Sequence, residues 1–473
     1  MKMESRTLKY LSEACSSELC SGSPDAPVRR VSTDSRTASE GDLFLAIKGE
    51  RFDGHAFAAK ILERGAAGVL IQKEYALESS TRTAGVIRVD DTRLALGQIA
   101  ARYRKDFDLP VIAVAGSNGK TSTKELLAAV LSQKFPVLWS EASFNNDIGV
   151  PLTLLRLESS HRAAVLEVGT NHPGELAPLI RIIEPQIGVM TSIGREHLEF
   201  FEDLDGVVKE EGALPELLPA NGFLFLNGDC ERANELAART KATVVRVGMH
   251  SNNAWRAENI RFTGSVQQFE VRSPNGRFDG TFELKMLGRA QVGNALLAVA
   301  VGAHLGLSRD QIADGLRECP PAKMRMELLE FSGVRILNDA YNANVDSTRV
   351  ALVTMAELPV RGRRIVVLGD MAELGKHAHA AHLEVGRLAA ELKMDQLIAI
   401  GTQAETTASA AREAGLLNAR CCGSIDEVAN LLTGEIRADD LVLLKGSRTS
   451  RLEQIMERFT KSPVTKDRPD NRC

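Results

Sequence analysis

Long apolar runs are missing: nowhere in the 473 residues do ~18 apolar side chains follow one another, so no membrane insertion is expected. The opening MKMESRTLKYLSEAC carries acidic residues and no long apolar run, unlike a signal peptide, and a cytoplasmic protein is the expectation. Cysteine is sparse. The seven cysteines are an odd count with no CxxC pair, which fits reduced thiols and argues against a disulfide framework or a zinc knuckle. Cys421 and Cys422 are read as core residues. Excess positive charge is absent too: the formal net charge of -4 leaves no basic field for a nucleic-acid backbone, although local phosphate sites remain open. What remains, 44% hydrophobic and 25% charged, is the composition of an ordinary soluble chain. Its length exceeds one core and suggests about three domains.

The densest chemistry lies in residues 111–123, VIAVAGSNGKTST, followed by the helix-compatible KELLAAVLSQK. A β-branched run that breaks at Gly116 and enters a helix after Gly119 reads as strand, glycine loop and helix N-terminus. There the unpaired amides and the positive end of the helix dipole face an anion, and glycines let the backbone come close. Gly116, Ser117, Asn118, Gly119, Lys120, Thr121 and Ser122 are therefore candidate phosphate ligands. Lys120 is placed on the outer phosphates and Thr121 on a magnesium ion. Val114 stands where the full Walker spacing has its first glycine, so this is the shorter GxxGKT form and leaves the nucleotide class open. The plainer alternative is a tight turn with a solvated lysine.

Residues 1–88 form a first unit in which Ser35 and Arg36 follow a strand-like start and a glycine-spaced segment ends in FDGH. Arginine beside hydroxyls and an exposed aromatic suits a diphosphate next to a planar base; a surface ion pair is the alternative. TRLALGQIAARYRKDF reads as a connecting helix. The pattern is then βα, with strands at RAAVLEVG, IGVMTSIG and GFLFLNG. In such sheets ligands collect beyond the carboxyl ends of the strands. Glu167 interrupts an apolar run, which is costly unless a cation or donors lie near; magnesium beside ATP answers that need, and so does a salt bridge. His197 follows another strand, where a structural histidine is the commoner case. Asn145 and Asn146 suit sugar or peptide groups, or ordinary Asx turns. Residues 254–287 alternate as an antiparallel patch, and GRAQVGNALLAVAVGAHLGL reads as a helix starting near Asn294. After Cys319-Pro320-Pro321 the βα order resumes and predicts a doubly wound sheet, with Asp339, Asp370 and Lys445 at strand ends. His377, His379 and His382 lack the spacing of a closed zinc site and are read as exposed helix. The tail KSPVTKDRPDNRC is polar and reads as disordered.

Together DSR with GDLFLAIKGERFDGH, GSNGKTSTKE, NNDIGVPLTLL, LEVGTNHPGEL, IGREHLEFF, NDAYNAN, VLGDMAELG and LLKGSR resemble, in order and over essentially the whole chain, the Mur ligase family of peptidoglycan synthesis. The resemblance implies an α/β protein of three domains. Residues 1–88 would be a small α/β domain binding a UDP-linked precursor, 89–321 a central P-loop ATPase with a mostly parallel sheet, and 322–473 a Rossmann-like, doubly wound ligase domain. LGDMAELG and YNAN point to the last amide-forming member, which uses ATP to join D-alanyl-D-alanine to the terminal carboxylate of UDP-N-acetylmuramoyl-tripeptide. A monomer is expected.

By the same resemblance Ser35 and Arg36, with Asn145 and Asn146, would contact the UDP precursor, and Lys120 the β and γ phosphates of ATP. Thr121, Glu167 and His197 would serve magnesium; Asn294, Arg325 and Asp339 match adenosine and phosphate contacts. Asn342, Asn344 and Asp370 are candidates for the dipeptide. Two departures stand out. GRAQV replaces the GRHNV of many relatives, which removes a histidine contact. At Glu211 many relatives carry a lysine that is carbamylated, so Glu211 would supply that carboxylate directly and orient a magnesium, through water given its shorter arm; a solvated glutamate is the alternative. Two rival readings stay open at this point: a folylpolyglutamate-type ligase, which would lack the UDP-binding domain, and a nucleotide-gated binding protein that has lost ligation.

Overall fold

The computed structural model describes residues 3–77 and 84–459, arranged as three sheet-centred units. In the first, strands Arg30–Ser32, Asp42–Leu45, Gly68–Gln72 and Gly85–Val89 run parallel, and Leu19–Ser21 closes the edge antiparallel. Helix Thr92–Arg104, capped by the Asp91 carboxylate, leads to the second unit. Its Tyr103 hydroxyl donates to the Leu157 carbonyl at 2.7 Å and accepts from the Glu4 amide at 2.9 Å, tying the two units together.

The second unit is a nine-stranded sheet. Val137–Trp139, Ala163–Glu167, Val111–Ala115, Ile187–Met190, Phe223–Asn227, Thr243–Gly248 and Trp255–Thr263 lie side by side in parallel, and Val266–Arg272 and Gly280–Leu284 extend the edge antiparallel. The run VIAVA is apolar throughout because both faces of its strand are covered. Val111, Ala113 and Ala115 pack among Leu96, Ile99, Leu154 and Leu179 on one face; Ile112 and Val114 pack among Leu126, Leu296 and Val299 on the other. Register fixes the site: Glu167 lies opposite Val114 and Met190 opposite Ala115, so three strands end at one level and their loops share one crevice.

The helix expected near Asn294 instead spans Arg289–His304 and puts Asn294 in its second turn. Gly288, at φ 105°, ends the preceding extended segment, and a Cβ there would lie 2.5 Å from Thr354 Oγ1.

In the third unit Val334–Asp339, Leu441–Lys445, Arg364–Leu368, Gln396–Ile400 and Ala419–Cys422 are parallel, and Glu327–Phe331 adds an antiparallel edge. Cys422 is buried, but Cys421 is only half-buried and its thiol donates to Glu405 at 2.9 Å, so it is not a core residue. His382 is also not on exposed helix. It is buried, with Nδ1 bonded to the Ala378 carbonyl at 2.7 Å and Nε2 accepting from the Met371 amide at 3.1 Å. The polar tail lies outside the described residues. Within them, no helix is long and apolar enough to cross a membrane.

The short helix Leu198–Phe201 of the second unit buries Leu198 and Phe201 among Leu352, Met371 and Leu374 of the third. Arg195 adds a polar clasp: its backbone amide and guanidinium reach Asp346 at 2.6 and 2.7 Å, and the guanidinium also reaches Glu384 at 2.8 Å.

Candidate active site

The glycine loop owes its shape to positive φ and close neighbours. Gly116 (φ 115°) and Gly119 (φ 91°) occupy backbone conformations that side chains disfavour. A Cβ on Gly116 would stand 2.5 Å from Thr191 Oγ1, and one on Gly119 would stand 2.7 Å from Asn294 Oδ1. The loop is pinned from the next strand's end. The Ser117 amide donates to the Ser192 carbonyl at 2.8 Å, the Asn118 amide to Ser192 Oγ at 3.1 Å, and the Gly194 amide to Ser117 Oγ at 2.9 Å. Helix Lys120–Ser132 starts directly behind, so its free amides face the crevice.

Lys120 Nζ donates to the Gly116 carbonyl at 2.6 Å and lies 3.5 Å from Glu196 Oε2. Burial works against its charge, but Glu196, Glu211 and Glu167 outweigh burial and hold its pKa above the ordinary lysine value. Glu196 is a residue the sequence reading passed over. It stands beside His197 in a polar loop, and only the fold turns it toward Lys120.

Glu167 is 1% exposed; Asn145 Nδ2 donates to its Oε1 at 2.9 Å, while its Oε2 has no partner. Thr121 Oγ1, Glu196 Oε1 and Glu211 Oε1 are likewise buried without partners. Buried oxygens left unsatisfied are costly, and those of Thr121, Glu167 and Glu196, which line the cavity beside the phosphate loop, are hard donors that fit a magnesium ion. Among the described residues no three His, Cys, Asp or Glu side chains group closely enough to hold a metal alone. Glu211 is fully buried, accepts from the Gly116 amide at 2.8 Å and does not line the cavity. Burial pushes its carboxyl up to about 8, against the pull of Lys120.

A cavity of about 650 Å³ joins these groups. Ser117 through Ser122, Asn145, Asn146, Glu167, Glu196, His197 and Asn294 line it from the second unit; Arg325, Asp339, Asn342, Asn344 and Lys445 line it from the third. Arg325 stacks on the Tyr341 ring at 4.2 Å, and Tyr341 meets Ser143 Oγ at 2.7 Å. Asp339 is paired with Lys445 at 2.7 Å and accepts from the Met326 amide at 3.0 Å. Asn344 Nδ2 donates to Asn118 Oδ1 across the domain boundary at 3.0 Å. In place of the GRHNV pattern, Gln291 Oε1 accepts from Asn294 Nδ2 at 3.1 Å.

Other candidates lie apart or are otherwise engaged. Ser35 and Arg36 do not line the cavity. The Arg36 guanidinium is 86% exposed and pairs with Asp34 at 2.7 Å, and this hydrogen bonding pulls the Asp34 carboxyl down to about 2. Asn146 Oδ1 accepts from the Gly149 amide at 2.9 Å, the Asx geometry left open by the sequence. Asp370 does not line the cavity: its carboxylate accepts from the Thr402 and Gln403 amides at 2.7 and 3.0 Å, just ahead of helix Ala404–Glu413.

Comparison with known proteins places this geometry. Residues 27–104 match the Mur ligase family, catalytic domain; residues 114–302 match the Mur ligase middle domain; residues 324–448 match the Mur ligase, glutamate ligase domain. A UDP-N-acetylmuramoyl-tripeptide--D-alanyl-D-alanine ligase of Escherichia coli is 35% identical, over 96% of this chain and 98% of its own. MurF from Acinetobacter baumannii has a TM-score of 0.89 and 31% identity, covering 98% of this chain and 100% of its own. MurF from Thermotoga maritima, solved in complex with ADP, has a TM-score of 0.80 and 25% identity, covering 91% and 97%. With family matches on all three sheet units and relatives aligned end to end, this chain belongs to the Mur ligase family.

Proposed function

We propose that this chain is the ATP-dependent ligase that joins D-alanyl-D-alanine to the terminal carboxylate of UDP-N-acetylmuramoyl-tripeptide, giving the UDP-linked pentapeptide of peptidoglycan synthesis. The observation that carries the reading is one cavity in which the loop amides, Lys120 and the unpartnered oxygens of Thr121, Glu167 and Glu196 from the second unit meet Arg325 and Asp339 of the third. In this reading the chain is divided as the resemblance implies: residues 1–88 hold the UDP precursor through Ser35 and Arg36, outside the cavity, 89–321 hold ATP, and 322–473 close the site. It works as a monomer in the cytoplasm, where ATP and the UDP precursor are at hand.

A carboxylate does not accept an amine at neutral pH, because the leaving group would be oxide. Transfer of the γ-phosphoryl group to the tripeptide carboxylate makes an acyl phosphate, which the dipeptide amine attacks through a tetrahedral intermediate. Charge builds first on phosphoryl oxygens and then on the carbonyl oxygen, so the protein's work is positioning and cationic stabilisation. The loop amides and Lys120 hold the phosphates. Thr121, Glu167 and His197 would hold magnesium, which supplies charge neutralisation at the transferred phosphoryl group. Glu211, walled off behind Gly116, would act on it through the loop or a water. Asn294 and Arg325 flank the nucleotide, and Asp339 with Lys445 shapes the third-unit wall. Closure keeps water from the acyl phosphate.

The test is phosphate release. It is expected only when ATP, UDP-tripeptide and D-alanyl-D-alanine are all present. Release with a folate and glutamate instead supports the folylpolyglutamate-type rival, against which the first sheet already speaks. Binding without release would leave a nucleotide-gated binding protein.

A further inference from the structure

His197 and Glu373 face each other across the boundary of the second and third units, and both have left-handed backbones, φ 48° and 58°. Few non-glycine residues take that conformation, so their surroundings hold them there. The holding is a two-sided clasp. The Glu199 amide donates to the Glu373 carbonyl at 3.0 Å, and His377 Nε2 bonds the Glu202 carbonyl at 2.9 Å. A Cβ on Gly375 would come within 3.3 Å of Glu199 Cα, so the chains run in close contact. Leu198 and Phe201 are buried beside Met371 and Leu374. At the centre of the clasp Glu373 Oε2 lies 2.5 Å from His197 Nδ1. The other ring nitrogen, Nε2, lies 4.0 Å from Oε2 of the cavity-lining Glu196.

An ionised carboxylate can only accept, so His197 Nδ1 carries the proton and donates. A ring that ligates a cation does so through the other nitrogen, Nε2, on the side of the cavity-lining Glu196. We propose that Glu373 is a positioning residue: from the third unit it fixes the ring orientation and tautomer in which His197 ligates a divalent cation. A second partner of this kind is a common support for metal-binding histidines. Here the support is on a different domain from the ligand, so cation affinity and domain docking are linked, each favouring the other by the same factor. The inference rests on the ligase reading, because that reading puts a cation at His197.

The experiment measures uptake of Mn2+, as a stand-in for magnesium, by the full chain with a non-hydrolysable ATP analogue, followed by electron paramagnetic resonance. Glu373→Ala is expected to weaken Mn2+ affinity about 10–100-fold. Glu373→Gln, whose amide oxygen still accepts from Nδ1, is expected to keep affinity within about threefold of the original, since the hydrogen bond survives. The decisive arm adds Glu373→Ala to His197→Ala, where it should change nothing further, because its effect runs through the ring. Unchanged affinity in Glu373→Ala, or further weakening in the His197→Ala background, overturns the proposal. If Glu373→Ala melts before it can be assayed, Glu373→Gln decides: a tenfold loss there overturns it, and retention supports it. Normal uptake that ignores Glu373 removes only the positioning role, whereas an unaltered protein that takes up no Mn2+ with nucleotide brings down the ligase reading as well.

Discussion

Lys120 touches the Gly116 carbonyl and faces Glu196, a posture from which its ammonium can meet developing phosphoryl charge. Lys120→Ala is expected to cut turnover about 10²–10³-fold, roughly 3–4 kcal/mol of barrier, as for loss of other charge-stabilising donors. UDP-precursor binding should persist. Steady-state kinetics and calorimetric titration check both, and retained turnover would count against the assignment. At this scale the sequence was partly legible. Lys120 and Thr121 announce themselves through glycine spacing, and Glu167 through its charge in an apolar strand, where an unpaired carboxylate is costly. Glu196 gave no such signal, because a carboxylate in a polar loop is ordinary until the 191–197 segment folds back onto Ser117 and Asn118. Glu211 read as a metal-facing carboxylate, but its fold position is behind the loop.

At the scale of the element, the buried strands and the connecting helix were legible from periodicity, while boundaries were not. Gly288 and the small residues after it hid the first turn of Arg289–His304. Edge strands Glu327–Phe331 and Ala419–Cys422 also went unread, being short and only partly buried. The segment after Arg364–Leu368 offers a pH test. Burial holds the His382 pKa below its ordinary 6.5, although Asp370 pulls the other way. A depressed histidine pKa means that its stabilising contribution is present above pH 6.5 and is lost as pH falls through the folded value. Protonation at Nε2 would break the bond from the Met371 amide. Between pH 7 and pH 5 the unaltered protein should therefore lose more melting temperature than His382→Gln, by about 2–4 °C if roughly 1 kcal/mol is at stake. Equal slopes in thermal melts would remove His382 from the account.

For the whole molecule, the alternation of strands and helices made the sheet classes readable, because parallel strands need crossover helices. How the units dock was not readable, since Arg195, Asp346 and Glu384 are far apart in sequence and unremarkable singly. Asp346→Ala removes the partner of both the Arg195 amide and its guanidinium. Such a half-exposed pair is worth at most about 1 kcal/mol, so KM for ATP should rise by no more than about fivefold. A normal KM would show that the clasp is idle. The greasy pin formed by Leu198 and Phe201 sets a tempo as well. Wetting two such side chains costs about 3–6 kcal/mol, so the jaws rest shut and gape only in rare, brief excursions. Departure of finished pentapeptide is then expected to wait for one of those excursions, which would put the exit among the slow steps of the cycle.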